Sequence, residues 1–361
     1  MPIPLFDAET PLAALREEIL DRLGAVVRAG RFVLGPEVDA FEREFAGYLG
    51  AKHVIGVANG TDAITIALRA MGLRPGDEVI VPSFTFYATA EAIVTAGGRP
   101  VFCDVNRETR NVTPDTVRAA MTPMTKAIVA VDLFGAPAPV AELSELGVPV
   151  LEDAAQAAGA KLGGRRAGAL GATATFSFYP SKNLGCFGDG GAIATDSDEV
   201  AEMARTLRFH GSRDKRSFEY VGYNSRLDEL QAAVLRVLLR ELDGWCAGRR
   251  AAADRYLQAD LEQHVGTPLV PPDAEPAWHL YVVTHPRADE LIAALREHRI
   301  ESRGYYRTPL HRQPAMAPYV DDSVTLPATD ELARENLALP MSPVLTEQQA
   351  YDVVSAISSF S

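Results

Sequence analysis

The chain has few cysteines, which excludes some classes of protein from the start. Its 361 residues include only Cys103, Cys186 and Cys246, an odd number spread widely along the sequence. They show neither the spacing of metal ligands nor a disulfide framework. A reducing cytosol fits this usage best. We therefore predict a cytoplasmic protein without a metal site.

Positive charge and long apolar runs are also scarce. Lys and Arg number 35 against 48 Asp and Glu, which gives a formal net charge of −13. A general binder of nucleic acid would instead need a basic face. No apolar run reaches the length of a transmembrane helix, and the N-terminus lacks the features of a secretory signal. We expect neither a nucleic-acid partner nor membrane insertion, although a small anionic substrate remains compatible with this charge.

What the chain does contain is typical of a soluble globular protein, with 47% hydrophobic and 23% charged residues. From about residue 54 to 200, short apolar runs alternate with helical stretches, which predicts an α/β fold with a mostly parallel, doubly wound sheet. We assign residues 1–240 to N-terminal helices and a large domain, and residues 241–361 to a smaller C-terminal α/β domain. The predicted strands of the large domain are residues 54–57, 79–81, 101–103, 128–131, 148–151, 173–178 and 192–194.

Lys182 stands in unusual surroundings. It lies in the segment FSFYPSKNLGCFGDGG of residues 176–191, among small and apolar residues just after a predicted strand. Partial desolvation there would lower its pKa and make the neutral amine available. Such an amine can form a Schiff base with an aldehyde. A lone lysine is more often a solvated loop residue, so the rest of the chain must decide.

Two further segments follow predicted strands. Residues 59–62 read NGTD, where Gly60 lets the backbone approach a ligand and the first helical N–H groups attract an anion. A plain helix cap explains the same letters. Residues 82–87 read PSFTFY, and an aromatic ring there can stack on a flat ligand or simply pack in the core.

An acidic segment follows the strand predicted at residues 148–151. It reads EDAAQ, and a helical turn after Asp153 would place Gln156 on the same side. A carboxylate can hold a proton on a pyridine nitrogen, and an amide can bond a phenolate oxygen, although a capping acid would look alike. Together with the lysine, the aromatic ring and the anion cradle, this set meets the needs of pyridoxal 5'-phosphate (PLP).

The order of the motifs adds a resemblance to a known family. NGTDA, PSFTF, EDAAQA, SFYPSKNLG and GYNSRLDELQAAVL resemble the DegT/DnrJ/EryC1/StrS family of sugar aminotransferases, which have the aspartate aminotransferase fold (PLP fold type I). The similarity extends from GRFVLGPEV, beginning at Gly30, to LPMSP, beginning at Leu339.

The resemblance implies a role for each matching residue. Lys182 would form the Schiff base and Asp153 would pair with the pyridine nitrogen, so that both are catalytic. The other cofactor contacts would be Gln156 on the ring hydroxyl, Phe86 on the ring face, Gly60, Thr61 and Ser177 on the phosphate, and Asn224 on the phosphate of a neighbouring subunit. The active unit would then be a homodimer with shared active sites.

The same resemblance implies glutamate as amino donor and a nucleotide-linked ketosugar as acceptor. The segment HGSRDKRSFEYVG of residues 210–222 resembles the linker of enzymes that aminate C3 of a dTDP-linked 3-keto-6-deoxysugar. Its basic residues Arg213, Lys215 and Arg216 would offset a diphosphate charge or form a solvated loop. Amination at C4, or of a cyclitol ketone, remains an alternative.

The chain departs from the family pattern near the expected sugar pocket. Members commonly have His-Tyr-Pro where this chain has Tyr305, Tyr306 and Arg307. We predict Tyr306 and His311 as substrate-side residues, and Arg307 as a phosphate contact or a surface residue. Lysine at position 182 argues against the dehydratase branch of the family, which has histidine there.

Two rivals from other classes are an oxidoreductase and a binding or scaffolding protein. A Rossmann-type oxidoreductase needs G-x-G-x-x-G after its first strand, and the NGTD turn does not supply it. A binding protein would be colourless. A regulatory relative without turnover is disfavoured by the joint presence of Lys182, Asp153 and Gln156.

Overall fold

The computed structural model describes residues 2–7, 9–321 and 323–360. Its strands are β1 (His53–Val57), β2 (Glu78–Pro82), β3 (Arg99–Cys103), β4 (Thr125–Val131), β5 (Val150–Asp153), β6 (Lys161–Leu162), β7 (Arg165–Arg166), β8 (Thr173–Ser177), β9 (Gly191–Thr195), β10 (Ala274–Glu275), β11 (Tyr281–Thr284) and β12 (Asn336–Leu339).

The α-helices surround these strands and also form the two ends of the chain. They are α1 (Glu9–Leu12), α2 (Arg16–Ala29), α3 (Pro36–Leu49), α4 (Gly60–Ala70), α5 (Ala88–Thr95), α6 (Pro114–Ala120), α7 (Val140–Ser144), α8 (Asp198–Arg208), α9 (Glu229–Leu239), α10 (Leu242–Gln258), α11 (Ala288–Glu297), α12 (Pro327–Glu335) and α13 (Glu347–Ser358). No helix among the described residues is long and apolar enough to cross a membrane.

The central sheet has seven strands in the order β1-β9-β8-β5-β4-β2-β3. All neighbouring pairs from β8 to β3 are parallel, whereas β9 is antiparallel to both β1 and β8. The inner strands contain apolar runs that are buried, such as AIVAV of residues 127–131 in β4, because helices cover both faces of a parallel sheet. The predicted fold class, an α/β protein with a mostly parallel sheet, is confirmed.

The reversed strand β9 determines where the lysine loop lies. Ser177, the last residue of β8, pairs with Gly191, the first residue of β9. The loop of residues 178–190 therefore leaves and re-enters the sheet at one edge. This is the edge at which the parallel strands have their carboxyl ends, where α/β proteins place their ligands.

Predicted and observed elements differ most around β5. The prediction placed this strand at residues 148–151, but it begins at Val150 and includes Glu152 and Asp153. Pro149 has no N–H to donate to a ladder, so regular pairing starts after it. The two acids thus lie in the strand itself, and Asp153 is its last residue.

The C-terminal part of the chain has its own apolar core. Side chains from α10, α11, α13 and the antiparallel pair β11–β12 pack together in it, and Ile3 from the N-terminal segment joins them. The sequence predicted neither β12 nor α12. In the case of β12, the four-residue run NLAL carries no periodic signal by itself. The domain boundary between residues 240 and 241 stays a prediction.

Candidate active site

A cavity of about 670 Å³ opens at the carboxyl edge of the sheet. This volume is within the usual range for small-molecule sites. Most of the residues predicted from the sequence line it together: Gly60, Thr61, Phe86, Asp153, Gln156, Ser177, Lys182 and Tyr306. The structure therefore brings motifs that are far apart in the chain into one site.

One end of the cavity is the N-terminus of α4. Asn59 begins the helix, because its side-chain oxygen accepts the Asp62 N–H at 2.8 Å. The N–H groups of Gly60 and Thr61 have no acceptor among the described residues and remain available to an anion. A Cβ atom at position 60 would lie 2.7 Å from the Cβ of Ser177, so only glycine permits this close approach.

Asp153 is buried at the end of β5, with 4% of its surface exposed. Its carboxyl group accepts the Thr89 hydroxyl at 3.1 Å and the Ala155 N–H at 3.2 Å. Burial raises the pKa of Asp153, and these two hydrogen bonds and the charge of Lys182 oppose that shift. A cationic ring nitrogen bound beside it would favour the carboxylate further.

Lys182 is the cation that acts on this carboxyl group. Burial lowers its pKa from 10.5 to about 8, and the negative charge of Asp153 only partly offsets this effect. The shift has the direction that the sequence predicted. A substantial fraction of the amine is consequently neutral near pH 8, as attack on an aldehyde requires.

Gln156 is held in one orientation by two hydrogen bonds. Its Oε1 accepts the Phe134 N–H at 2.9 Å, and its Nε2 donates to the Tyr306 hydroxyl at 3.3 Å. The Tyr306 ring stacks against Phe134 with 6.2 Å between centroids. Phe86 lies at the rim with 54% exposure, its ring tilted by 42° against that of Tyr306.

Three residues of the site were not predicted from the sequence. Thr89 reaches Asp153 from α5, and Phe6 and His279 line the cavity from the N-terminal segment and from just before β11. The rings of Phe6 and His279 stack at 6.2 Å. Burial, reinforced by Lys182 and Arg249, lowers the pKa of His279 well below its usual value. This histidine is therefore neutral.

Asn224 and His311 do not line the cavity. Asn224 is exposed on the surface segment before α9. The imidazole of His311 is hydrogen-bonded through Nδ1 to the Ser83 hydroxyl at 2.7 Å. The predicted roles of both residues stay predictions.

Arg307 and the basic loop are also outside the cavity lining. The Arg307 guanidinium donates to the carbonyl oxygens of Ala333 and Arg334 at the C-terminal end of α12, which is a favourable place for a cation. In the basic loop, Arg213 pairs with Glu202 at 3.3 Å, and the Lys215 ammonium lies 4.7 Å from the centre of the Phe209 ring.

Comparison with known proteins establishes the family. The model of the DegT/DnrJ/EryC1/StrS aminotransferase family matches residues 13–358. The chain belongs to this family. Among curated relatives, the "pleiotropic regulatory protein" of Geobacillus stearothermophilus is 45% identical, covering 100% of this chain and 99% of the relative. The "dTDP-3-amino-3,4,6-trideoxy-alpha-D-glucose transaminase" of Streptomyces venezuelae is 44% identical, covering 98% and 95%.

Solved structures agree with this assignment. DesV of S. venezuelae, in complex with a ketimine intermediate, superposes with a TM-score of 0.96 at 44% identity, covering 99% of this chain and 98% of its own. NtdA of Bacillus subtilis, with bound cofactor PMP, has a TM-score of 0.91 at 29% identity, covering 99% and 85%. The protein is thus an aminotransferase of PLP fold type I, and its cofactor is PLP.

The residues present fit that cofactor. The free N–H groups of α4 and the glycine-limited contact with Ser177 suit a phosphate, and the buried carboxyl group of Asp153 suits a ring nitrogen. The amine of Lys182, with its lowered pKa, suits the cofactor aldehyde. The residue types and the cavity therefore agree with the cofactor of the family.

Proposed function

We propose that this aminotransferase transfers an amino group from glutamate to the C3 ketone of a nucleotide-linked sugar, a dTDP-3-keto-6-deoxyhexose. It would act in the cytoplasm as a homodimer with shared active sites. The main support for this proposal is that Lys182, Asp153 and the N-terminus of α4, with its free N–H groups, all line the same cavity.

Bound PLP supplies an aldehyde that joins to an amine and a pyridine ring that draws electrons from the adjacent carbon. The Asp153 carboxylate would keep the ring nitrogen protonated. The Gln156 Nε2 would donate to the ring hydroxyl, and the Gly60, Thr61 and Ser177 side of the cavity would anchor the phosphate. The Lys182 Nζ would hold and move the proton at the reacting carbon of the substrate.

The choice of substrate class draws support from the relatives. The S. venezuelae transaminase carries a dTDP-linked 3-amino sugar in its name and is 44% identical over nearly the whole chain. Cavity-lining acids such as Asp62, Glu91 and Asp189 can accept hydrogen bonds from sugar hydroxyl groups.

The charge of the cavity supports a second subunit. Among the described residues that line it, Lys182 is the only lysine and there is no arginine. The cavity lining therefore offers little positive charge to a diphosphate, and Arg213, Lys215 and Arg216 lie on the same surface stretch as Asn224. We propose that a second copy presents these residues. Amination at C4, or of a cyclitol ketone, remains the alternative activity.

The first test is an absorbance spectrum of the purified protein after addition of PLP. We expect an absorption band at a longer wavelength than that of the protein itself, and borohydride should abolish it. Mass spectrometry of the reduced protein should then find the mass of the cofactor on the peptide that contains Lys182. Lys182→Ala should prevent fixation, whereas Lys126→Ala, at an exposed lysine, should not. A colourless protein, or fixation at another lysine, would refute the assignment.

The second test is a panel of 3-keto and 4-keto nucleotide sugars and cyclitol ketones, each with glutamate as donor. We expect turnover of a 3-keto dTDP sugar at least about tenfold above the others, which corresponds to roughly 1.4 kcal/mol of discrimination. Preference for a 4-keto sugar or a cyclitol would replace the proposed substrate while leaving the cofactor chemistry intact.

A further inference from the structure

Two carboxyl groups with no exposed surface lie behind the cofactor side of the cavity. Glu152 precedes Asp153 in β5, and Asp132 directly follows β4 on the neighbouring strand; both are 0% exposed. The Asp132 N–H donates to the Asp153 carbonyl at 3.0 Å. In the β4–β5 register Ala130 lies opposite Glu152, so Asp132, two residues further on, is on the same face of the sheet as Glu152. A hydrogen bond between these two side chains is among the causes that shift the pKa of each acid. Because two ionised carboxylates have no donor to share, this bond requires one proton.

The backbone donors show which acid carries that proton. Glu152 Oε1 accepts the Gly168 N–H at 2.5 Å, and its Oε2 accepts the N–H groups of Leu170 and Gly171 at 3.1 and 3.4 Å. Among the described residues, the side chain of Asp132 accepts one hydrogen bond, from the Ala138 N–H to Oδ1 at 2.7 Å. Hydrogen bonds from N–H groups favour an ionised carboxylate. The charge therefore belongs to Glu152 and the proton to Asp132.

The second carboxyl oxygen of Asp132 agrees with this assignment. Oδ2 is buried and accepts no hydrogen bond from the described residues, so a negative charge on it would be unsatisfied, whereas a proton on it would make it a donor. Burial raises the pKa of Asp132 well above its usual value, and the charges of Glu152 and Asp153 raise it further. If Asp132 were ionised, a third negative charge would lie beside those of Glu152 and Asp153. Lys182 supplies a positive charge, and it acts on Asp153.

The protonated acid holds a turn that reaches the active site. Besides the bond from Ala138, the Gly135 N–H donates to the Asp132 carbonyl at 3.2 Å, which closes residues 132–138. Within this turn Phe134 has a φ of 58°, and its N–H donates to Gln156 Oε1. Because the amide oxygen is engaged there, the Nε2 of Gln156 is on the side of the cavity, where it donates to the Tyr306 hydroxyl and has a second N–H with no acceptor among the described residues.

We propose that Asp132 is a positioning residue: a neutral carboxylic acid that donates to Glu152, fixes the 132–138 turn and so presents Gln156 Nε2 to the ring hydroxyl of PLP. The last step rests on the proposed role of Gln156. Asp132 itself touches neither cofactor nor substrate. The acid pair joins the 132–138 turn to the segment of residues 168–171, on which the three backbone donors of Glu152 lie.

The test compares Asp132→Asn, Asp132→Leu and Glu152→Gln. The amide that Asp132→Asn introduces can still donate to Glu152 and accept from Ala138, so we expect a melting temperature within about 3 °C of the parent. Amide hydrogen exchange of residues 133–138 should stay unchanged in this variant. In Asp132→Leu, exchange there should rise about tenfold or more as the turn loosens. We expect Glu152→Gln to lower the melting temperature more than Asp132→Asn does, because the NH₂ group of the new amide would face backbone N–H groups, which are also donors.

A direct measurement does not depend on the stability of the Leu variant. The infrared spectrum of the parent at pH 8 should contain the carbonyl band of a protonated carboxylic acid, and Asp132→Asn should remove it. No such band, or a band that Glu152→Gln removes instead, would overturn the proposal. Greater damage by Asp132→Asn than by Glu152→Gln would overturn it as well.

The link to the cofactor is read from the pH titration of the PLP absorbance. Asp132→Leu and Gln156→Leu should shift its midpoint in the same direction, whereas Asp132→Asn should leave it in place. An unshifted midpoint in Asp132→Leu, with a shift in Gln156→Leu, would overturn the positioning role. If Gln156→Leu also fails to shift it, the proposed contact of Gln156 is wrong, while the infrared and exchange results still decide the acid pair.

Discussion

The two walls of the cavity are built in different ways. On the cofactor side, Asp153 and Ser177 are the last residues of β5 and β8, and Gly60 is the first residue of α4. The residues that we call the opposite wall include Phe6, His279 and the Tyr305–Tyr306 pair, which line the cavity from the N-terminal segment and the C-terminal part of the chain.

We expect this difference to separate the residues that govern turnover from those that govern substrate preference. Residues at strand ends and helix starts are fixed by the sheet, so catalytic groups there have little freedom to move. The opposite wall is carried by segments whose geometry depends on long-range packing, such as the Leu5 N–H bond to the Glu301 carboxylate at 3.0 Å. We therefore expect changes on the cofactor side to affect turnover most, and changes on the opposite wall to affect substrate preference.

The largest effect should follow replacement of the carboxylate on the cofactor side. Asp153→Asn cannot hold the ring nitrogen protonated, and we expect turnover to fall roughly 10³-fold. Thr89→Val is the matched control, because it removes one hydrogen bond to Asp153 but keeps the charge; its loss should be about tenfold or less. Steady-state kinetics measure both. Equal losses in the two variants would contradict the assigned role of the carboxylate.

Next comes the pH dependence of cofactor capture by the apoenzyme. Because the pKa of Lys182 is lowered to about 8, the rate of PLP capture should rise through pH 8 and level off above it. Asp153→Asn removes a charge that raises this pKa, so its midpoint should lie lower. Stopped-flow absorbance gives the rate. A midpoint near 10.5, the ordinary lysine value, would show that the amine is not desolvated.

The same shift predicts how Lys182 affects stability. The folded protein releases this proton at lower pH than the unfolded chain, so the unfolded chain binds more protons between about pH 8 and 10.5. The contribution of Lys182 to the free energy of unfolding must therefore increase as pH rises through that window. Denaturant unfolding of the apoenzyme can measure it, with Lys182→Met as the reference. Parallel pH profiles for both proteins would contradict the prediction.

A smaller effect is expected on the opposite wall. Tyr306→Phe removes the hydroxyl that Gln156 contacts at 3.3 Å, and we expect kcat/KM to fall about five- to tenfold. Tyr305→Phe is the matched control, since no hydrogen bond of its hydroxyl is found among the described residues. If both variants lose activity equally, ring packing rather than the hydroxyl contact is what matters.

Phe6→Leu should have the smallest effect on the preferred substrate. The change keeps an apolar side chain but loses the stacking on His279. We expect turnover of the preferred sugar to change less than about threefold, while discrimination among sugars weakens. The substrate panel described above is the measurement. A large loss of turnover with unchanged discrimination would place Phe6 with the cofactor side instead.

The sequence predicted that Asp153, Gln156 and Lys182 lie in one site, and the structure places all three around one cavity. Asp153, Gln156 and Lys182 each follow an apolar run, and a parallel sheet brings the carboxyl ends of such runs together. Phe6, Thr89 and His279 could not be found in this way, because each enters the cavity through tertiary packing without a local pattern. The predicted start of β5 was wrong by two residues, because Pro149 has no N–H for the ladder.

The reversal of β9 has a consequence in terms of chain entropy. The loop of residues 178–190 is closed at its base by the Ser177–Gly191 pair, so the ladder fixes its ends. Loop-closure entropy grows slowly, by about 0.6 kcal/mol for each doubling of length. A few glycines inserted on the exposed stretch around Phe187 would therefore cost little stability. The same insertion would enlarge the volume that the Lys182 amine explores, so the effective concentration of this amine at the cofactor depends on the length of the loop.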